Sequence, residues 1–236
     1  MQKDKEILTR RRLVKNIFSD RSSLALRALL REPDQKWTLP DLEKEGVSLG
    51  LASDVLSKAE AQGYVERVIR GPESYTRLIR KDALLKDWVD AYAFEQSDHE
   101  YYLSTDKNFL KTCTEFLQKK KKAFALTLYS ASRLISPYVK DDRHFIYVDI
   151  ERDEFPVFLK EIEAQLSLYK LVRGGNVCFV VPFYRSSVCR DSITVKGFPI
   201  VSHLQLYLDL MTFPPTGPEE ARHLISHFKK KRQNFV

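Results

Sequence analysis

Between positions 22 and 81 the hydrophobic residues change period in a fixed order. Leu24, Leu26, Leu29 and Leu30 make one helical face, with Ser22 or Ser23 placed to cap it. This face ends at Glu32-Pro33, because the residue before a proline resists the helical region. Thr38 opens a second helix, with Pro40 in its first turn and Asp41 at the third helical position, and Gly46 stops it. Ser48 opens a third. Its Ala52, Val55, Leu56 and Ala59 repeat at helical spacing, Ser53, Asp54, Ser57 and Lys58 fall on the other side, and Gly63 ends it. Two strand-like runs follow, residues 64–69 and 74–79, around a Gly71-Pro72 turn. Three helices and then a hairpin is the order of a winged helix-turn-helix, a fold that can present one helix to a major groove beside a hairpin that touches phosphates.

The remainder of the chain mixes periods. Residues 82–94 have a helical pattern (Leu84, Leu85, Trp88, Val89, Tyr92), and residues 95–108 are polar and tyrosine-rich. A domain break is placed there. Residues 1–95 are then a basic arm, a DNA-binding domain and a linker helix, and residues 96–236 a second domain. In that second part, residues 145–150, 176–181, 193–195 and 198–201 read as strands. Residues 130–138, 155–168, 202–211 and 217–230 read as helices, and residues 123–128 fit either a strand or a helix start. The predicted class is α+β: an N-terminal winged helix-turn-helix followed by a mixed α/β C-terminal domain with a small sheet.

Charge sharpens this picture. The 236 residues carry a net charge of +7, which favours an anionic partner without proving nucleic-acid binding. The positive charge sits in runs: Arg10 to Arg12, residues 67–81, 119–122 and 229–232. Cys113, Cys178 and Cys189 are odd in number and lack zinc-ligand spacing, as expected of thiols in a reducing compartment. The first twenty residues are too charged for a secretory signal, and no apolar run approaches about 18 residues. A cytoplasmic protein without membrane contact, cofactor or metal is expected, as a monomer or weak dimer.

The candidate DNA-facing residues are Ser48, Leu49, Gly50, Ser53, Asp54, Ser57 and Lys58 on the third helix, and Arg67, Arg70, Arg77 and Arg80 around the hairpin. Arg10, Arg11 and Arg12 add a basic arm. The groove-facing set lacks Arg, Asn and Gln, the common base readers, so the hairpin and arm carry much of the expected binding. A winged helix that serves only as a protein-interaction module is one alternative. Another is a metal-dependent nuclease-like site at Asp149 and Glu151, although no Glu-x-Lys element follows them. His223 and His227 are four apart on a helix but have no evident third ligand. Gly174-Gly175 lacks the rest of a phosphate loop and reads as a tight turn into a strand. No catalytic nucleophile stands in a recognisable motif, and no enzyme activity is expected.

Two stretches of the C-terminal third, VRGGNVCFVVPFYRSSVC and GFPIVSHLQLYLDLMTFPPTGPEEARHLI, resemble the C-terminal domain of the AbiEi-type antitoxins. The segment AFALTLYSASRLISPYV also resembles that family, and the likeness extends over roughly residues 20–228. Its motif residues here are Gln205, Tyr207, Asp209, Glu219 and Glu220. One departure is the run from Pro214 to Pro218, where the family has a Gly-Arg-rich approach. The resemblance implies a transcriptional regulator of a type IV toxin–antitoxin system. Such a protein binds inverted repeats in its own promoter DNA, represses its operon, and opposes a nucleotidyltransferase toxin without a tight complex. On residues alone, the helix bearing Tyr207 and Asp209 also reads as core packing with a surface Asp, because Leu204, Leu206, Leu208 and Leu210 are all apolar.

Overall fold

The computed structural model describes residues 16–171, 174–233 and 235. Arg10, Arg11 and Arg12 lie outside them. The chain separates into two compact units, Met1–Lys81 and Asp82–Val236. The break falls before the tyrosine-rich segment expected to hold it. The reason is packing: Tyr92 and Phe94 are buried, and Phe94 packs on Tyr147 and Phe213 of the second unit.

In the first unit, α1 (Asp20–Arg31), α2 (Leu39–Lys44) and α3 (Leu49–Ala61) precede a hairpin of β1 (Val65–Val68) and β2 (Tyr75–Leu78). The start of α1 corrects the expected cap. Ser19 occupies the N-cap position, while Ser22 and Ser23 are buried inside the helix, where the Ser23 hydroxyl donates to the Asp20 carbonyl. The cap of α2 matches expectation. The Thr38 side chain accepts from the Asp41 N–H, and the Asp41 carboxylate accepts from the Thr38 N–H. This reciprocal pairing satisfies donors that a helix start leaves open, and the Thr38 hydroxyl, which also donates to the Asp41 carboxylate, holds that carboxyl below its usual pKa together with Lys44. Ser48 caps α3 by accepting from the Leu51 N–H. Ala52, Val55, Leu56 and Ala59 are the buried face of α3, as their spacing predicts. The two strands pair antiparallel from Val65 opposite Leu78 to Val68 opposite Tyr75, and a short 3-10 turn at Gly71–Glu73 joins them. Trp37 bridges to Thr76, so the hairpin is also tied to the segment before α2.

The second unit starts with α4 (Lys81–Ala91). It continues through β3 (Asp98–Leu103), α5 (Phe109–Lys119), β4 (Phe124–Leu126), α6 (Leu128–Ile135), β5 (His144–Val148), α7 (Phe155–Gln165), β6 (Tyr169–Lys170) and β7 (Val177–Val181). It ends with β8 (Ile193–Val195), β9 (Phe198–Ile200), α8 (His203–Met211) and α9 (Gly217–Lys230). The sheet is larger than expected. Among the described residues it has seven strands in the order β6-β3-β7-β5-β4-β9-β8. Two of these strands were not foreseen. β3 lies in the segment read as a polar boundary, and β6 has only two residues, both exposed. Pairing is mixed: β5 runs parallel to β7 and β4 to β9, while β3–β7, β3–β6, β4–β5 and β8–β9 are antiparallel. All five residues of β7 are buried, so both faces of the sheet are covered there, which accounts for its unbroken apolar run. Helices α6, α8 and α9 pack on one another.

The turn before β7 depends on one glycine. Gly175 has φ +123°, and a Cβ there would collide with the Tyr102 carbonyl on β3. The Asn176 side chain then bridges to the backbone of Ser104 on both its N–H and C=O. Gly175→Ala is expected to destabilise the protein by about 2 kcal/mol or more, since it adds both backbone strain and a backbone clash. The unfolding midpoint in urea measures this, and an unchanged midpoint would show that the turn adapts.

Candidate nucleic-acid interface and buried carboxylate cluster

The face of α3 turned away from the core begins at its N-terminus. Ser48, Leu49, Gly50 and Ser57 are exposed, and Ser53, Asp54 and Lys58 are half-buried. Leu49 keeps 43% of its surface, and a side chain at Gly50 would meet nothing within 4 Å. The face is therefore open and short of long donors, as the sequence suggested.

The four hairpin arginines differ in their surroundings. The Arg67 guanidinium donates from one terminal nitrogen to the Ser57 Oγ at 2.6 Å, which draws it onto α3. The Ser57 hydroxyl in turn donates to the Ser53 carbonyl at 2.8 Å. The Arg67 N–H donates to the Glu60 carboxylate at 3.3 Å. Arg77 is directly opposite Glu66 across the hairpin, and the two form an ion pair. Arg70 and Arg80 are exposed and carry no ion pair among the described residues. Ile69, between Arg70 and the strand, keeps 76% of its surface.

The motif residues of the second unit do not form one site. Gln205 and Asp209 are one helical turn apart on α8, and both are wholly buried, which overturns the reading of a surface Asp. Asp209 Oδ1 accepts from the Tyr92 hydroxyl (2.6 Å), the Tyr147 hydroxyl (3.1 Å) and the Gln205 amide (2.7 Å), and Oδ2 accepts from the Thr127 hydroxyl (2.5 Å). The Gln205 amide also donates to the Tyr92 oxygen at 2.9 Å. Four separate parts of the chain thus meet on one carboxylate. Burial pushes the Asp209 carboxyl up to about 6, although all four hydrogen bonds favour its charged form. The same burial and the Asp209 charge push the Tyr147 hydroxyl well above its ordinary value. Tyr207, between Gln205 and Asp209 in sequence, is half-buried and outside the cluster.

Glu220 is also buried, at the start of α9, where one oxygen accepts from the Val139 N–H at 2.8 Å. Neighbouring contacts step along α6 and α9: the Tyr129 hydroxyl meets the Thr216 hydroxyl, and the Ser136 hydroxyl meets the His223 ring. Glu219 is exposed. Sequence reading missed Tyr92, Thr127 and Tyr147. Each had been assigned to an ordinary helix or strand pattern, and nothing local signals that their hydroxyls converge.

The remaining candidates have structural surroundings. Glu151 pairs with Arg185, and this holds its carboxyl below the usual range. His223 stacks on Tyr138 with ring centroids 4.5 Å apart. No group of three His, Cys, Asp or Glu side chains is placed to hold a metal among the described residues. Lys120 and Lys122, in the lysine run at 119–122, form ion pairs with Glu161 in the middle of α7 and with Glu154 at its N-cap. Cys113 and Cys178 are buried free thiols, both pushed up to about 12 by burial. Among the described residues no helix is long and apolar enough to cross a membrane.

The buried acid has a pH signature. A carboxyl raised from 3.8 to about 6 contributes stability that is fully present below the lower value and is lost as pH rises through the upper one. His144, pushed down to about 4 by burial, has the opposite sign over much of the same range. The comparison must therefore be with Asp209→Asn. The unfolding free energy of the wild type minus that of the variant is expected to fall between pH 4 and pH 6, by up to about 1.4 kcal/mol per pH unit, and to level off above. A flat difference across that window would remove the assignment.

A family model described as transcriptional regulator, AbiEi antitoxin, type IV toxin–antitoxin system matches residues 77–228, more than half of the chain. No curated protein and no solved structure gives a match.

Proposed function

The chain belongs to the AbiEi antitoxin family of type IV toxin–antitoxin transcriptional regulators, and from that premise we propose that its first unit is a winged helix-turn-helix that binds double-stranded DNA. The observation that carries this is the open face of α3 beside a hairpin bearing four arginines. In this reading α3 enters the major groove and the hairpin lies along the phosphates. The target is the chain's own promoter, at inverted repeats, and binding represses the operon. The second unit opposes a nucleotidyltransferase toxin. The protein acts in the cytoplasm as a monomer or weak dimer.

The pairing of Arg77 with Glu66 refines how the hairpin would work. An exposed ion pair is worth at most about 1 kcal/mol, so Arg77 can exchange its carboxylate for a phosphate at small cost. Arg70 and Arg80 need no such exchange. Arg70→Ala is expected to weaken binding to all duplexes alike and to lower the slope of log affinity against log salt by about 1. Glu66→Gln is expected to strengthen binding by releasing Arg77. Fluorescence anisotropy on the duplex upstream of the coding sequence and on a scrambled duplex, from 50 to 200 mM salt, tests both. Affinity insensitive to salt, or unmoved by either change, would refute the hairpin's role.

A further inference from the structure

The face of α3 offers no Arg, Asn or Gln to a groove, yet one guanidinium is held against it. Arg67 reaches from β1 to Ser57 on α3, at 2.6 Å. Ser57 is itself oriented, because its hydroxyl donates back to the Ser53 carbonyl at 2.8 Å. The base of the arginine is also held, since its N–H donates to the Glu60 carboxylate one turn further along α3. Arg67 is thus tied to the helix at its backbone and at its tip. Only one of the five guanidinium N–H groups is needed for Ser57, so the others remain to donate elsewhere. An arginine that contacts phosphates from a hairpin would be expected to extend along that hairpin, as exposed Arg70 is free to do. Arg67 is instead directed to the helix face whose own residues there (Gly50, Ser53, Ser57) are too short to block it.

We infer that Arg67 is the protein's base reader: a hairpin side chain, positioned by Ser57 on the exposed face of α3, that recognises guanine in the major groove. The chemistry is the fork of guanidinium N–H donors against the O6 and N7 acceptors of guanine. Lysine keeps the charge but has no planar fork, so it is a poor substitute for arginine at such a two-point contact. Holding the side chain in place beforehand reduces the ordering cost of binding. Ser57 is a positioning residue, acting through Arg67. This inference rests on the proposed DNA-binding role and adds which residue reads sequence and which base it reads.

The test uses the full chain. A binding duplex is selected from a random-sequence library, and each guanine is replaced in turn by 7-deazaguanine, which lacks the N7 acceptor. In the wild type, one guanine per bound half-site is expected to be sensitive, with replacement weakening binding roughly 5- to 150-fold. Arg67→Lys is expected to bind the unmodified duplex as weakly as the modified one, with its salt slope unchanged, and Ser57→Ala to lose part of the same discrimination. Circular dichroism confirms that both variants are folded, and because Ser57 is an exposed hydroxyl its removal leaves the helix intact. If Arg67→Lys retains the guanine sensitivity, or the wild type shows none while still binding DNA in a salt-dependent way, this inference falls and the DNA-binding reading stands. If the wild type has no salt-dependent affinity for any duplex, both fall.

Discussion

Asp209 is a buried carboxyl with no cation beside it among the described residues. Its charge is balanced only by neutral donors, three hydroxyls and one amide, which arrive from the segment after α4, the turn before α6, β5 and α8 itself. A buried acceptor deprived of its partners costs far more than each bond contributes when made. The carboxylate therefore penalises any arrangement in which one of these four segments is displaced. An apolar residue of similar size would tolerate small shifts of α8 over the sheet. Asp209 does not, and so it fixes the register of a helix whose leucines alone, at 204, 206, 208 and 210, would pack in more than one way. The strand β5 that supplies Tyr147 also pairs parallel with β7, so the position of α8 is coupled to the centre of the sheet.

The first unit is organised on a different principle. Its helices are set by caps and by short-range spacing, and the contacts of its hairpin arginines lie at the surface. Arg77 is held by an exposed carboxylate, a contact that an anionic partner can displace at small cost, while Arg67 is held against α3 by the Ser57 hydroxyl. One unit is therefore rigid around a buried polar centre, and the other keeps its charged side chains exchangeable. That division suits the DNA binding proposed for the first unit.

The legible parts of the sequence were those encoded locally. Thr38 with Asp41, Ser48, and the spacing of Ala52, Val55, Leu56 and Ala59 each determine their structure within a few residues, and each was found where expected. Two of the failures, β3 and the Asp209 cluster, share a cause. β3 reads as a polar linker because its residues are mostly half-exposed, and it is a strand only because β7 and β6 lie on either side of it. The helix α5 was missed for a different reason. Phe109, Cys113 and Leu117 recur at helical spacing, but they stand between a polar run and a lysine run, a composition shared with linkers. The Asp209 cluster could not be read at all. Gln205 and Asp209 are four apart and therefore on one face, but Tyr92 and Tyr147 are joined to them only by the tertiary fold.

The same distinction limits what net charge can say about binding. The +7 of the chain includes lysines at 120 and 122 that pair with α7, and arginines at 143 and 185 that pair with Asp141 and Glu151. Those charges are already paired, as Arg77 is, and a phosphate backbone would have to displace a carboxylate to use them. Arg143 is further occupied by the rings of Phe145 and Phe213, with its guanidinium 5.1 and 5.6 Å from their centroids. In the first unit, Arg70 and Arg80 face solvent without an ion pair among the described residues. What matters for an anionic partner is therefore where the unpaired cations lie and not their total, and Arg70 and Arg80 share the hairpin with Arg67, which is held on the open face of α3.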